Sequence, residues 1–359
     1  MAEIRKPLRV GVVGLGVGRH HLLSYLKIPG VEVVAAADAN PERLQEVGAA
    51  NGVPYLYADY RPLVDRNDLD IVNVCTPNSL HAPVTIAALE SGKHVLCEKP
   101  LASTLADAEQ MVATSERTGR ALAVTFNHRE RGDVQTLKRL IDEGRLGRIY
   151  HAKAWWLRRN GIPGLGSWFT KKNLAGGGPL IDLGVHMLDM ALFLMGEPCA
   201  LAVSGAAYAE LGPRGRGGNP WAKKQPSGDV AYDVEDLASA FIRLDGNATL
   251  LLETSWATYR ADNDEYGITL YGTEGGAEIR VVNYVQEDTL KVFVDLAGTP
   301  VDVHPHPGKG EGHLASIRAF VECLRGGDWR DCHGREGLAR TRIIDACYRS
   351  AEIGREIVL

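Results

Sequence analysis

Short apolar runs alternate with amphipathic stretches through the first third of the chain. Leu8-Arg9-Val10-Gly11-Val12-Val13 predicts a buried strand, with a helix from Gly18 to about Ile28. Residues 31–37 predict a second, β-branched strand ending at Asp38. Further strands are expected at 71–75, 94–97 and 121–125. A helix over 80–91 is closed by Gly92, and another opens at the Thr104-Leu105-Ala106-Asp107 cap and ends at Gly119. Such alternation predicts a parallel sheet flanked by helices. The pattern then changes. A helix over 133–143 precedes a strand over 148–157 carrying Trp155 and Trp156. Residues 237–244 and 248–255 alternate with period two and meet at Asp245-Gly246-Asn247, a hairpin signal. Strands at 268–271, 277–281 and 290–294 follow, then closing helices over 312–324 and 336–353. Consecutive strands predict a mostly antiparallel sheet. The expected fold is an α/β domain over 1–126 and an α+β domain over 127–359.

Length supports two domains, since 359 residues is long for one core. Hydrophobic residues at 45% and charged ones at 24% describe an ordinary globule. A net charge of −5 gives no basic footprint for nucleic acid. No apolar run is expected to reach the roughly 20 residues of a membrane helix. Met1-Ala2-Glu3-Ile4-Arg5-Lys6 has no apolar signal region. The six cysteines form no C-x-x-C pair and read as reduced thiols, so a cytoplasmic protein is expected. Residues 212–228, rich in Gly, Pro and basic side chains, predict a mobile excursion.

The candidate chemistry falls at strand ends. Gly14-Leu15-Gly16-Val17-Gly18 follows the first strand, where glycines let a pyrophosphate approach a helix N-terminus. Asp38 lies 20 residues after Gly18, placed to accept from ribose hydroxyls. A third glycine is expected at position 19, which is Arg19; Gly18 precedes it. Thr76-Pro77-Asn78 and Glu98-Lys99-Pro100 also fall beyond strand ends, where open α/β sheets bind ligands. These make the expected cofactor-binding set: Gly14, Gly16, Val17, Gly18, Asp38, Thr76, Pro77, Asn78, Glu98 and Lys99. Asp38 would repel a 2′-phosphate, so NAD is expected over NADP, with Arg43 the nearby cation that softens the preference.

The second candidate is Gly176-Gly177-Gly178-Pro179-Leu180-Ile181-Asp182-Leu183-Gly184-Val185-His186-Met187-Leu188-Asp189. The three glycines predict a close backbone approach, and Pro179 suits a first helical turn. Asp182 and His186 stand at i and i+4 on one face, with Asp189 a further turn along. Such a pair can bind and deprotonate a hydroxyl. It also reads as a zinc half-site, for which no third ligand has a recognisable spacing, or as a satisfied polar pair. His304-Pro305-His306 lacks further ligands and reads as a loop, so no metal is expected. The Gly/Pro loop before the triple glycine holds Arg158, Arg159, Trp168, Lys171 and Lys172. Trp168 offers an aromatic face to a sugar ring, and the cations offer contacts to its polar groups.

Glu98-Lys99-Pro100 after a strand, Thr76-Pro77-Asn78 before a helix with His81, and Gly-Gly-Gly-x-x-x-Asp-x-x-x-His-x-x-Asp together resemble the glucose–fructose oxidoreductase / inositol dehydrogenase / rhizopine-catabolism family (Gfo/Idh/MocA). The resemblance runs from Leu8 to the last helix. It implies an N-terminal Rossmann domain, a C-terminal domain with a large open sheet, and NAD(P)-linked oxidation of sugar or cyclitol hydroxyls. By motif match, Lys99, Asp182 and His186 take the catalytic positions; with Arg158 and Trp168 from the Gly/Pro loop, they make the expected substrate-facing set. His81 and Asn127 join the expected cofactor-binding set through the same resemblance. A bare sheet face predicts a homodimer or homotetramer. Two other classes stay open: an NAD-dependent glycoside hydrolase acting by transient oxidation and elimination, and a non-catalytic NAD-binding sensor.

Overall fold

The computed structural model describes residues 6–220, 232–327, 329 and 332–359. The excursion expected over 212–228 is thus described only as far as 220, and the first five residues of the N-terminal stretch lie outside the described residues. The chain folds into two compact units, one of Met1–Asn127 with Gly312–Thr341, the other of His128–Glu311 with Arg342–Leu359.

Among the described residues, the first unit carries six strands: β1 (Leu8–Val13), β2 (Val31–Ala37), β3 (Tyr55–Tyr57), β4 (Ile71–Val74), β5 (His94–Glu98) and β6 (Leu122–Thr125). They pair in parallel in the order β3-β2-β1-β4-β5-β6. That order reverses direction beside β1, so a crevice opens beyond the carboxyl ends of β1 and β4. β3, three residues long at the sheet edge, is too short to leave a sequence pattern. The Thr104 hydroxyl accepts from the Asp107 amide at 3.1 Å, and Gly119 ends that helix in the left-handed region, as the sequence predicts.

The first unit runs from the N-terminal stretch to Asn127 and also takes in Gly312–Thr341. The reason is burial. On the helix His313–Gly326, Ile317, Phe320, Val321 and Leu324 join Val10, Leu22 and Tyr25 in one core cluster. That helix covers apolar surface that the first βαβ unit leaves bare.

Among the described residues, the second unit is built on nine strands: β7 (Ile149–Arg158), β8 (Ala200–Tyr208), β9 (Leu237–Leu244), β10 (Ala248–Ser255), β11 (Asp264–Gly272), β12 (Gly275–Val282), β13 (Leu290–Leu296), β14 (Thr299–Val303) and β15 (Ile357–Val358). Their order is β14-β13-β12-β11-β7-β10-β9-β8-β15, antiparallel except for the β7–β10 pair. The Gly246-Asn247 pair takes positive φ, matching the hairpin signal between β9 and β10. The segment Lys172–Leu194 is long and apolar enough to cross a membrane by length and composition alone, though Asp182, His186 and Asp189 interrupt it. With 89% of its apolar window buried inside the fold, its helical part from Leu180 to Leu194 belongs to the core of the second unit.

Candidate active site

In the first unit the glycine loop and the strand ends form one surface. Gly14 has φ +85°, and its amide donates to Ala37 O at 2.7 Å, so the chain turns sharply off β1. A Cβ on Gly16 would meet nothing within 4 Å, which leaves the loop backbone open on that side. A Cβ on Gly18 would stand 3.1 Å from Cys75 Cβ and 3.3 Å from Val12 Cγ1. Gly18 therefore supplies the close helix–strand packing that the pattern assigned to position 19, and Arg19 is left exposed. The helix Gly18–Tyr25 points its N-terminus at the loop, and its free amides favour an anion there.

Asp38 is a built element of this surface. Its Oδ2 accepts from the Leu15 amide at 2.7 Å and its Oδ1 from the Asn40 amide at 2.8 Å, while Arg43 Nη1 lies 3.2 Å from Oδ2. The carboxylate thus pins the glycine loop to the end of β2 and stands where a ribose diol meets a Rossmann strand end. These features fit a dinucleotide: an open loop backbone, a helix N-terminus and a fixed carboxylate.

His81 lies buried between two of the strand-end turns. It is 1% exposed, its Nδ1 lies 2.8 Å from Pro100 O and its Nε2 3.0 Å from Thr76 O. It clasps the Thr76 turn to the Lys99–Pro100 turn, whose peptide is cis, and burial lowers its pKa. Asn78 is buried at the start of the turn Asn78–Leu80, and Asn127 opens the turn Asn127–Glu130 just past β6. Glu98 is also buried. Burial opposes its charge, but His21 and His313 hold its carboxyl well below the usual range. Its Oε2 accepts from the Lys99 amide at 3.0 Å, which fixes the turn carrying Lys99.

In the second unit, Asp182 lies in a π-helical turn, Leu180–Gly184, that runs into the helix Val185–Leu194 carrying His186. Such turns recur at functional sites. Trp256 Nε1 donates to Asp182 Oδ2 at 3.0 Å. His186 is buried, with its ring 4.6 Å from His128 and 5.8 Å from Trp156, centroid to centroid. Trp156 in turn lies 4.6 Å from Tyr266. Asp189 serves structure: it is 1% exposed and takes a two-pronged pair from Arg129 at 2.8 and 2.6 Å.

The triple glycine also approaches something other than a ligand. A Cβ on Gly178 would collide with Glu235 O, and one on Gly177 with the Tyr348 hydroxyl. Glu235 is buried and accepts from Gly178 N at 2.8 Å, Leu180 N at 3.0 Å and the Tyr348 hydroxyl at 2.9 Å. A single carboxylate thus caps the turn that carries Asp182, filling the role of an N-cap residue. Burial raises its pKa against the pull of the two amides. No sequence cue marked Glu235, Tyr348 or Trp256, because each is separated from the turn by dozens of residues.

The basic loop divides. Arg158 Nε pairs with Asp264 Oδ2 at 2.6 Å, and its Nη2 donates to the Tyr284 hydroxyl at 2.7 Å. Its guanidinium is therefore committed to holding strand ends, and it lies 5.1 Å over the Trp156 ring. Arg159 is exposed and donates to Arg260 O. Trp168 stacks on Phe169 at 3.8 Å, and Phe169 meets Trp256 edge-on at 6.4 Å. A chain of aromatics thus links the loop to the residue that holds Asp182.

Comparison with known proteins agrees with this description. Residues 8–126 match the family model described as "Oxidoreductase family, NAD-binding Rossmann fold", and 134–278 match the GFO/IDH/MocA C-terminal domain. The chain is 32% identical to D-glucoside 3-dehydrogenase of Escherichia coli strain K12, over all of this chain and 99% of that protein. It is 30% identical to myo-inositol 2-dehydrogenase of Thermotoga maritima, over 98% of each. A solved structure of levoglucosan dehydrogenase with NADH and L-sorbose superposes with a TM-score of 0.85 at 27% identity, covering 98% of this chain and 99% of that one. The chain belongs to the Gfo/Idh/MocA family of oxidoreductases, with an NAD-binding Rossmann domain at its N-terminus.

Proposed function

We propose that the protein is an NAD-dependent dehydrogenase that oxidises a secondary hydroxyl of a pyranose or cyclitol, with Lys99, Asp182 and His186 as its catalytic set. The observation that carries this is the turn Leu180–Gly184, capped by buried Glu235, which places Asp182 beside Trp256 and leads into the helix that sets His186 beside Trp156, itself packed near Tyr266. A carboxylate and an imidazole supported by aromatic faces suit a hydroxylated ring with apolar C–H faces. Bound NAD supplies the hydride acceptor. His186 takes the hydroxyl proton as general base, and Lys99 donates to the same oxygen as it gains alkoxide character. Asp182, oriented by Trp256, binds a neighbouring hydroxyl. The glycine loop holds the pyrophosphate and Asp38 the adenosine ribose, which favours NAD over NADP. The relatives named above support the substrate class, since they act on a glucoside and on an inositol.

The bare face of the nine-stranded sheet, with Phe241, Leu251 and Trp155 among its residues, supports a homo-oligomer formed through that sheet. The test of function is a panel of pyranoses, pyranosides and cyclitols with NAD and with NADP, followed by absorbance of the reduced cofactor. Turnover confined to ring polyols with NAD is expected. Absence of any reduced cofactor across the panel would overturn the reading.

A further inference from the structure

The first unit gathers three ligand-type side chains from segments far apart in the chain. His21 comes from the helix Gly18–Tyr25, Glu98 from the end of β5, and His313 from the first residue of the helix His313–Gly326. His21 Nε2 lies 2.8 Å and His313 Nε2 3.5 Å from Glu98 Oε1. All three atoms lie within 4.8 Å of one another. Two ligands at about 2.1 Å on a tetrahedral zinc ion stand about 3.4 Å apart. The spacing therefore needs adjustments of only a few tenths of an ångström to a little over one.

The surroundings are built as metal sites are built. Asn73 Nδ2 donates to Leu96 O at 3.1 Å and to Cys75 Sγ at 3.2 Å, so its Oδ1 is the atom that meets His21 Nδ1, at 2.9 Å. That contact puts a proton on Nδ1 and aims Nε2 at Glu98, the usual outer partner of a metal-bound imidazole. The other Glu98 oxygen is held by the Lys99 amide. His21 and Glu98 are buried, whereas the His313 side chain is 26% exposed. The cluster is thus closed toward the core and open to solvent at His313, which gives an ion a way in.

We propose that His21 Nε2, Glu98 Oε1 and His313 Nε2 form a site for one divalent transition cation of the zinc type, its fourth position open to water. Two imidazoles and a carboxylate suit Zn²⁺ or Co²⁺ far better than Mg²⁺ or Ca²⁺. A bound ion would tie the helix His313–Gly326 to β5 and stiffen the turn that carries Lys99. The competing arrangement is a protonated imidazole–carboxylate cluster, in which a proton occupies the place of the ion.

The test uses the full-length chain without a histidine tag, stripped with EDTA and desalted. Zn²⁺ is titrated against a chromogenic chelator, and Co²⁺ is followed by its visible absorption. One equivalent of each is expected, with a tetrahedral Co²⁺ spectrum. His313→Ala changes a partly exposed side chain at a helix start, so circular dichroism should match the wild type while binding is lost. His21→Gln should also lose binding, and if that variant misfolds, His313→Ala decides alone. Asn73→Ala should weaken binding by roughly 10–100-fold. His306→Ala, which removes an exposed imidazole beside Asp288, should change nothing. The proposal is overturned if wild type binds no stoichiometric ion, or if His313→Ala binds as wild type does. All of these readouts are independent of dehydrogenase activity.

Discussion

Glu235→Gln probes the step from fold to chemistry. The Glu235 carboxylate accepts two backbone amides at 2.8 and 3.0 Å and a tyrosine hydroxyl at 2.9 Å, all inside the second unit. Glutamine keeps the shape but offers one oxygen, and its NH₂ faces a backbone N–H. One charge-assisted hydrogen bond, worth about 1.5–3 kcal/mol, is lost, and a buried donor left unsatisfied adds about 1–3 kcal/mol. Partial relaxation makes the two losses less than additive, so a destabilisation of about 2–4 kcal/mol is expected. The turn that carries Asp182 loses its cap, so kcat should fall by about tenfold or more, because small misplacements of catalytic groups cost that much. NAD affinity should hold, since the glycine loop and Asp38 lie in the other unit. Urea unfolding gives the stability, fluorescence titration the NAD affinity, and steady-state kinetics the kcat. Loss of less than 1 kcal/mol with unchanged kcat would refute the capping role.

Four further outcomes follow from the site and its surroundings. His186→Ala and Lys99→Met should each lower kcat by about 10²-fold or more, less than additively in the double variant, with oxidation falling as pH drops in the wild type; near-wild-type oxidation by His186→Ala at every pH would sink the base assignment. Asp38→Ser should narrow the NAD-to-NADP ratio of kcat/KM. Because Asp38 also anchors the Leu15 amide, the variant should bind both cofactors more weakly, which a titration would show. Trp168→Ala should raise the sugar KM more than the NAD KM, whereas a lower Tm with unchanged KM would make it a packing residue. His94 accepts from the Ala121 amide at 3.0 Å, and burial, with Arg120 nearby, lowers its pKa to about 4. The unfolded state then binds the extra proton first, so stability is lost as pH falls from about 6.5 toward 4, by on the order of 1–2 kcal/mol after allowance for the ring's partial exposure. His94→Gln should flatten that slope in urea titrations between pH 4.5 and 8, and equal slopes would exclude His94 as the cause.

Much of this protein is local physics. The strands β1, β2, β9 and β10, the Thr104 cap and the Gly246-Asn247 hairpin are set by apolar period, β-branching and turn chemistry within a few residues, and each is legible in the chain. The glycine loop, Asp38 and the Glu98-Lys99-Pro100 turn are legible for the same reason, since strand ends in an alternating α/β chain share one edge. What the chain order conceals is decided by closure over long separations. Gly18 rather than position 19 takes the tight contact, because Cys75, just past the end of β4, comes up beneath it. Glu235 and Tyr348 meet the triple glycine from 57 or more residues away, since a helix start buried in a core must have its free amides satisfied by whatever the fold brings near. The helix His313–Gly326 leaves the unit it follows in sequence and joins the first, because its apolar face matches surface that the first helix leaves uncovered. The same return brings His313 to Glu98. Sequence spacing measures only neighbours along the chain, whereas burial and hydrogen-bond satisfaction act on neighbours in space.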